Sequence, residues 1–314
     1  MKLITLFFVL FCCVAVSKVD INELKAKSRG WTFTVGDNGM LDKNLKDITG
    51  LKIPADWKKR VQFLPTKLKV GELPKRYDVR DVLADKTPPI RDQGYCGSCW
   101  AFGTTASFEF ALALKSANYK RKITWWNPLS WLSSCSCDND PEPEPNPEPN
   151  PQMSKDLSEQ EMVSCSRCGT CDGGWFCHDW QKIYGQATEE DFPYTARDDS
   201  CKQGLTPYAK ISDYYFVGQG DTPTRNELKQ AIHTYGAVAV TVTANSAMQA
   251  YTSGVFNGCS DAQLNHLVNL IGWDDDQGVW YMRNSWGTNW GEKGYMRIKY
   301  ECSRIGEIAS FVVY

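Results

Sequence analysis

Thirteen cysteines and the apolar run that opens the chain constrain its fold more than any other feature. Cys12 and Cys13 lie in the apolar run at residues 3–16, which follows Lys2 and ends in small residues. Residues 1–17 are therefore predicted to be a secretory signal peptide, since the run is short for a membrane span of ~20 residues. Export into an oxidising compartment favours disulfides. The eleven remaining cysteines thus predict a cross-linked body with one thiol left over.

Charge divides the chain into two parts. Hydrophobic residues make up 42% and charged residues 23%, which is typical of a soluble globular protein with a sizeable core. Residues 18–72 carry 12 Lys and Arg against 7 Asp and Glu, whereas residues 73–314 carry 22 against 30. The acidic sign of the longer part argues against nucleic-acid binding. The basic part is predicted to be attracted to the acidic body, and acid weakens this attraction because it protonates carboxylates.

A reactive thiol is predicted at Cys99. Residues 93–102 read Gln-Gly-Tyr-Cys-Gly-Ser-Cys-Trp-Ala-Phe, and a helix is predicted to begin at Cys99. The partial positive charge at a helix N-terminus stabilises a thiolate, and a nearby imidazole can take up its proton. The small residues Gly97 and Ser98 let a substrate carbonyl approach the backbone. The alternative is a disulfide or redox pair of Cys96 with Cys99, but the sequence lacks the βαβ pattern typical of such redox sites.

The base that activates this thiol has to be one of three histidines. His233 lies within a polar helical pattern, and His178 adjoins a cysteine-rich turn. His266 opens an apolar, strand-like run, and a strand end can hold an imidazole rigidly. It follows Cys99 by 167 residues, somewhat more than the ~130–150 typical of such a pair. A proline-rich insertion accounts for the excess, so His266 is the predicted base.

Two amide side chains complete the predicted chemistry. Asn284 lies 18 residues after His266, and its side-chain oxygen can accept a hydrogen bond from the imidazole and fix the ring's tautomer. Trp286 is predicted to cover that bond and to exclude water. The side chain of Gln93 and the backbone N–H of Cys99 are predicted to donate to the oxyanion that forms during acyl transfer.

These stretches resemble the papain-like cysteine peptidases over residues 73–314, apart from the insertion. The matching segments are Leu73-Pro74, Tyr77-Asp78 with Arg80, residues 93–102, Leu157-Ser158-Glu159-Gln160, Cys171-Asp172-Gly173-Gly174, Pro193-Tyr194, Asn265-His266 and Asn284-Ser285-Trp286-Gly287. The resemblance implies an α+β fold of two domains, one mainly helical and one β-barrel-like, with the active site in the cleft between them. It also implies that Gly173 and Gly174 hydrogen-bond the substrate backbone and that Trp290 lines the leaving-group side.

Residues 18–72 resemble the short propeptide of cathepsin B-like members. These 55 residues leave no room for a long helical propeptide of the cathepsin L kind, and the matching positions are Ile21-Asn22, Trp31, Gly36 and Asn38. The resemblance implies a monomeric zymogen that is inhibited by its own propeptide. It implies protein and peptide substrates and cystatin-like inhibitors as partners, and neither a cofactor nor a metal.

The resemblance also implies a cysteine pairing with Cys99 free, namely Cys96–Cys171, Cys165–Cys201 and Cys259–Cys302. This pairing leaves four cysteines unassigned, which are Cys135, Cys137, Cys168 and Cys177. The competing interpretation is a zinc site, disfavoured in an exported chain with such bridges, built from Cys165, Cys168, Cys171, Cys177 and His178.

A Pro/Glu-rich insertion interrupts the body at residues 119–154. Within it, residues 141–151 read Pro-Glu-Pro-Glu-Pro-Asn-Pro-Glu-Pro-Asn-Pro. Alternating proline excludes helix and sheet ladders and favours extended polyproline II. The insertion is predicted to be a solvated surface excursion that hydrolysis of small peptides does not need. A specific ligand for a partner is the alternative.

The sequence places two different residues at the base of the pocket for the second substrate residue before the cleavage site. Counting from Cys302 puts Glu307 there, and a buried carboxylate favours Arg. Matching Ser310-Phe311 puts Ala309 there instead, which favours bulky apolar groups. The segment after Gly173 and Gly174 has His178 but no pair of histidines to bind a substrate's C-terminal carboxylate. An open cleft and endopeptidase action are therefore predicted.

Two other functions compete with peptide hydrolysis. A catalytically silent homologue would be a binding protein, but such homologues commonly lack the nucleophile, whereas Cys99, His266, Asn284 and Gln93 are all present. A transferase or ligase would use the same thioester and is equally compatible with these residues. The chain has no Asn-x-Ser/Thr sequence, which disfavours delivery to a lysosome by an N-glycan. The predicted destinations are the extracellular space, a lysosome or a vacuole.

Overall fold

The computed structural model describes residues 19–64, 71–117 and 156–314. Several predicted features lie outside the described residues: the signal peptide at 1–17, the insertion at 119–154, Cys135 and Cys137. Among the helices that are described, none is long and apolar enough to cross a membrane.

Helices and strands are mixed along the described chain, which confirms the predicted α+β class. The α-helices are α1 (Ile21–Lys27), α2 (Trp57–Arg60), α3 (Val79–Leu83), α4 (Cys99–Ser116), α5 (Glu159–Cys165), α6 (His178–Ile183), α7 (Arg225–Tyr235) and α8 (Ser246–Gln249). The strands are β1 (Thr32–Val35), β2 (Arg76–Asp78), β3 (Gly169–Thr170), β4 (Gly173–Gly174), β5 (Asp213–Phe216), β6 (Val238–Val242), β7 (Tyr251–Phe256), β8 (His266–Asp274), β9 (Val279–Arg283), β10 (Tyr295–Lys299) and β11 (Ala309–Val313).

The central helix α4 is buried all round. Every residue from Cys99 to Leu114 is buried, because β8, β6, β11, α5 and β4 all pack against the helix. The amide of Asn269 on β8 fixes one of these contacts, since it donates to the carbonyl oxygen of Gly103 at 2.9 Å. The sequence pattern alone predicts a helix with one apolar face, formed by Phe102, Ala106, Phe110 and Ala113, whereas the structure buries the other faces as well.

One open sheet carries the larger strands. Its order is β1-β7-β10-β9-β8-β6-β11-β5, and β2 pairs with β8. The strands β1 and β5 are the two ends of this order, so the domain that the resemblance described as barrel-like is an unclosed sheet in the described residues. β1 pairs antiparallel with β7. Because β1 belongs to residues 18–72, the predicted propeptide adds an edge strand to the sheet of the body.

Four disulfides cross-link the described residues. They are Cys96–Cys171, Cys165–Cys201, Cys168–Cys177 and Cys259–Cys302. Cys99 is free and buried. Each cysteine of the alternative zinc site lies in one of these bridges, so none of these sulfurs is a thiolate that could bind a metal.

Candidate active site

Cys99 occupies the first position of α4 and follows the N-cap residue Ser98. A helix leaves its first N–H groups without intrahelical partners, so the thiol lies where the helix favours negative charge. Backbone groups of Leu267, Trp100 and Gly50 lie within hydrogen-bonding reach of this thiol. The predicted nucleophile is therefore a free thiol that contacts the start of β8 and residues of the predicted propeptide.

His266 and Asn284 form the hydrogen bond that the sequence predicted. His266 is the first residue of β8 and is fully buried, and Asn284 follows the last residue of β9. The Nε2 atom of His266 lies 2.8 Å from the Oδ1 atom of Asn284. The Nδ1 atom has no hydrogen-bond partner among the described residues. One ring nitrogen is thus fixed by the amide, and the other is left for proton transfer.

Two tryptophans enclose this histidine. The ring of Trp286 stacks on that of His266 with centroids 4.9 Å apart, and its Nε1 donates to the carbonyl oxygen of Ile48 at 2.8 Å. Trp290 meets Trp286 edge-on at 5.2 Å and donates to the carbonyl oxygen of Met248 at 3.0 Å. Both indoles are buried, so water is excluded from the bond between His266 and Asn284.

Gln93 is buried, and other groups fix its amide. Its Oε1 accepts from the hydroxyl of Ser285 at 2.7 Å, and its Nε2 donates to the carbonyl oxygen of Cys96 at 2.8 Å. A carboxamide nitrogen carries two protons. One proton of Gln93 is used by Cys96, and the second, which has no acceptor among the described residues, can donate to the predicted oxyanion.

Burial sets the charge of the pair in this covered form. Burial raises the pKa of the Cys99 thiol to about 12, and backbone hydrogen bonds from Leu267 and Trp100 oppose only part of this rise. Burial also lowers the pKa of His266 to about 4, against the opposing effect of its bond with Asn284. At neutral pH both groups are therefore uncharged.

We expect the covered thiol to react slowly with alkylating reagents. Only the thiolate is nucleophilic. The labelling rate of Cys99 by iodoacetamide in the intact chain should therefore rise with pH through the alkaline range, because its pKa is about 12. A processed form, with solvent at the pair, should label rapidly near neutral pH. Labelling rates of both forms across the neutral and alkaline range check this, and equal rates at neutral pH would contradict it.

The predicted propeptide lies along the Gly-Gly strand. The N–H of Gly174 donates to the carbonyl oxygen of Gly50 at 2.8 Å, and the N–H of Lys52 donates to the carbonyl oxygen of Gly174 at 2.8 Å. The N–H groups of Gly50 and Leu51 both donate to the carbonyl oxygen of Asn265. Residues 50–52 thus occupy, next to Cys99, the backbone groups of Gly174, one of the two glycines that the resemblance assigned to a substrate.

Ser98 and Gly97, next to the thiol, are hydrogen-bonded to different parts of the body. The hydroxyl of Ser98 lies 2.6 Å from that of Tyr194 and is buried, so its side chain is engaged in the body. The N–H of Gly97 donates to the carbonyl oxygen of Cys171 at 2.7 Å. Gly97 therefore links the segment before the nucleophile to the turn that precedes Gly173.

Leu51 lies in a buried apolar cluster with Cys99. Other members of this cluster are Phe176, Ala239, Leu264, Leu267 and Ile308. The structure brings neither of the two predicted pocket residues to it. Glu307 accepts two hydrogen bonds from Arg304, at 2.9 and 2.7 Å, and Ala309 packs in the main core. Ile308, between them, belongs to the same apolar cluster as Leu51, and the sequence analysis did not single it out.

The other two histidines lie in the body away from this pair. His178 is buried, with Nδ1 3.0 Å from the Oε1 atom of Gln181 and Nε2 2.8 Å from the hydroxyl of Ser310. Burial lowers the pKa of His178 to about 4. His233 packs beside the ring of Tyr77 with centroids 5.0 Å apart.

The chain is similar to known cysteine proteases along most of its length. The family described as papain family cysteine protease matches residues 73–140 and 148–314. Cysteine proteinase 1 of Entamoeba histolytica is 30% identical over 308 residues, which are 93% of this chain and 84% of that protein. Cysteine proteinase 2 of the same organism is 33% identical over 70% of this chain and 62% of its own length.

A solved proform has a similar fold. The structure of digestive procathepsin L2 proteinase from the larval midgut of Tenebrio molitor superposes with a TM-score of 0.73 at 25% identity, over 94% of this chain and 89% of that chain. A match of this length extends into the residues before Leu73. The cathepsin B-like character of residues 18–72 stays a prediction.

Proposed function

The chain belongs to the papain family of cysteine proteases, and from this membership we propose that it is the zymogen of an endopeptidase that acts through a thioester on Cys99. One observation carries the proposal. Residues 50–52 pair through their backbone with Gly174 and Asn265 beside a free thiol. The chain thereby supplies its own peptide to the groups that would bind a substrate. Inhibition of hydrolysis by a thiol-directed epoxide that labels Cys99 alone would test this function.

The arrangement supports acyl transfer in two steps. His266 takes the proton of the Cys99 thiol, the sulfur attacks the peptide carbonyl carbon, and the carbonyl electrons move to the oxygen. Gln93 and the N–H of Cys99 donate to this oxyanion. Collapse breaks the C–N bond, and His266 gives its proton to the leaving amine. Water, deprotonated by His266, then attacks the thioester and releases the acid and the thiol.

Each part of the machinery makes a distinct contribution. Asn284 holds the imidazole by the 2.8 Å bond to Nε2, which leaves Nδ1 to exchange the proton. Trp286 covers this bond. Loss of a single oxyanion donor typically costs ~100–1000-fold in turnover, so a Gln93 variant should fall in this range.

We assign residues 1–17 to a signal peptide, 18–72 to an inhibitory propeptide and 73–314 to the peptidase domain. Contacts of residues 19–64 with the body support the assignment. β1 extends the sheet, and Lys43 lies 3.7 Å from a carboxylate oxygen of Asp92. Acid should weaken the charge attraction and speed processing near residues 71–73. The mature enzyme would be a monomer, open to cystatin-like inhibitors, in the extracellular space, a lysosome or a vacuole.

Leu51 indicates the preferred side chain at the second substrate residue before the cleavage site. We expect Leu or Phe at this position to give a kcat/KM about 10–100-fold above that for Arg, because burial of such a side chain contributes ~1.5–3 kcal/mol. A peptide library varied at this position measures the ratio. The variant Ile308→Glu should shift preference toward Arg. A wild-type preference for Arg would contradict the assignment.

Cleavage should occur within chains and should not require a free C-terminus. The three histidines of the sequence support this, because His266 is the base, His178 is held by Gln181 and Ser310, and His233 packs beside Tyr77. None of them is available to bind a terminal carboxylate. One peptide offered with a free and with an amidated C-terminus should be cut internally at equal rates. Stepwise dipeptide release that needs the free carboxylate would refute this.

A further inference from the structure

The Cys168–Cys177 bridge has no assigned role in the resemblance on which the other three bridges rest. The two cysteines are nine positions apart, and Gly173 and Gly174 lie between them. Gly174 is the residue that donates to residue 50 and accepts from residue 52. This bridge therefore encloses the backbone that a bound peptide uses.

The enclosed segment is a hairpin with little stability of its own. β3 and β4 have two residues each, paired as Gly169 with Gly174 and Thr170 with Gly173. The N–H of Trp175 adds one bond to the carbonyl oxygen of Cys168 at 3.2 Å. A two-stranded hairpin is marginal even at greater length. Gly173 also has a φ of +117°. Fixing a glycine in one conformation costs more backbone entropy than fixing any other residue.

The turn of this hairpin is held from the nucleophile's side. Cys171 is bonded to Cys96, and its carbonyl oxygen accepts from Gly97 at 2.7 Å. The indole of Trp100 donates to the carbonyl oxygen of Thr170 at 3.1 Å. These contacts fix the turn relative to the start of α4.

The open end of the hairpin is held by the unassigned bridge. Cys168 ends the segment before β3, and Cys177 follows β4 by three residues. Cys177 is buried, and its N–H donates to the hydroxyl of Thr104 on α4 at 3.4 Å. The bridge thus joins the free end of the hairpin to the same helix that carries Cys99.

We propose that Cys168 and Cys177 are positioning residues whose disulfide holds Gly174 in register with the substrate backbone. The proposal rests on the proposed peptidase function. Without the bridge, binding would have to order a loose glycine hairpin, and that ordering opposes affinity. The bridge does not touch the reacting atoms. Its removal should therefore weaken substrate binding and leave the chemical step unchanged.

The test is the double variant Cys168→Ala, Cys177→Ala in the enzyme matured from the full chain. We expect KM for tetrapeptide substrates to rise about tenfold, which matches the loss of about one net backbone hydrogen bond. The kcat value and the rate of Cys99 labelling by iodoacetamide should stay within about twofold of wild type, because the catalytic pair is untouched. Because Cys177 is buried, a second double variant, Cys168→Ala with Cys177→Val, keeps an apolar side chain at residue 177.

The matched control is Cys259→Ala, Cys302→Ala, which removes a disulfide outside the hairpin. It should lower the melting temperature but leave KM unchanged. A rise in KM equal to that of the Cys168 and Cys177 variant would show a general loss of stability and would overturn the proposal. An unchanged KM in the Cys168 and Cys177 variant would also overturn it.

Two further measurements separate positioning from mere stability. A substrate in which an ester oxygen replaces the N–H that takes the place of the Lys52 N–H cannot donate to the Gly174 carbonyl oxygen, so it should lose several-fold in kcat/KM with wild type. With the Cys168 and Cys177 double variant this loss should be smaller, so that the ester and amide substrates approach equal kcat/KM. Hydrogen exchange at the Trp175 amide, which donates to the Cys168 carbonyl oxygen within the hairpin, should speed up at least about tenfold in that variant alone. The exchange readout does not depend on hydrolysis, so failure of the peptidase function and failure of this proposal are distinguishable.

Discussion

Replacement of Cys99 with serine should lower peptide hydrolysis by at least about 10⁴-fold, because a hydroxyl beside a neutral imidazole is a far weaker nucleophile than a thiolate. His266→Ala should produce a loss of similar size, since the other two histidines are held by different contacts, His178 by Gln181 and Ser310 and His233 by Tyr77. His266 is held by a single amide, with the Nε2 atom 2.8 Å from the Oδ1 atom of Asn284. Cys99→Ser removes the nucleophile and His266→Ala removes its base, so each variant destroys the catalytic pair.

The measurement uses variants that cannot mature themselves. Trace wild-type enzyme processes the Cys99→Ser chain and is then inactivated with a thiol-directed epoxide, which the serine variant does not bind. His233→Ala is the matched histidine control, because His233 packs beside Tyr77 and not in the active site. It should retain near wild-type turnover. Residual hydrolysis above about a thousandth of wild type in Cys99→Ser would remove Cys99 from the nucleophile's role.

Local patterns in the sequence predicted the elements that are stabilised locally. The sequence pattern from Arg225 to Tyr235, ended by Gly236, predicts a helix, and the structure has α7 there with Thr224 and Glu227 in a capping box. The apolar run from Val279 to Arg283 predicts a strand, and the structure has β9 there. Caps, turn residues and apolar periodicity lie within a few positions of each other, so a single sequence contains all that these elements need.

Which residue of the segment 307–309 shares the cluster of Leu51 depends on strand register. Alternate residues of a strand point to opposite faces, so an error of one position exchanges the faces. Ile308 and Val312 belong to the cluster that contains Leu51, whereas Ala309 and Phe311 belong to the main core. Nothing in the sequence fixes this register, because the partners of β11 are β5 and β6, far away along the chain.

Contacts that leave no periodic pattern limited another prediction. The sequence pattern of residues 157–184 predicts helices around a cysteine-rich turn, and the structure adds the short strands β3 and β4 between α5 and α6. The Cys168–Cys177 bridge and the packing of the Trp100 indole hold this hairpin in place. Neither contact appears as a periodic pattern in the sequence, because the position of a cysteine or a tryptophan does not show which residue it contacts.

Gly50→Ala should release the thiol in the unprocessed chain. A Cβ atom at residue 50 would lie 1.8 Å from the carbonyl oxygen of Gly97, a distance that no side chain can adopt. Neither backbone segment can move aside easily to make room for this atom. Gly97 is hydrogen-bonded to Cys171, and residue 50 is hydrogen-bonded to Gly174. Residues 49–52 therefore have to leave the Gly-Gly strand, and solvent reaches Cys99 and His266.

Labelling of the full-length chain measures this release. A fluorescent thiol-directed epoxide should mark the Gly50→Ala chain at its uncut mass near neutral pH, at a rate within about tenfold of the matured enzyme, because solvation restores the thiolate. The wild-type chain of the same mass should not be labelled. Gly71→Ala is the matched control, since a Cβ atom at residue 71 meets nothing within 4 Å. If Gly50→Ala were as unreactive as Gly71→Ala, the close passage of residue 50 would not be what keeps Cys99 covered. The inhibition would then depend on β1 and on the cluster around Leu51, which the substitution leaves in place.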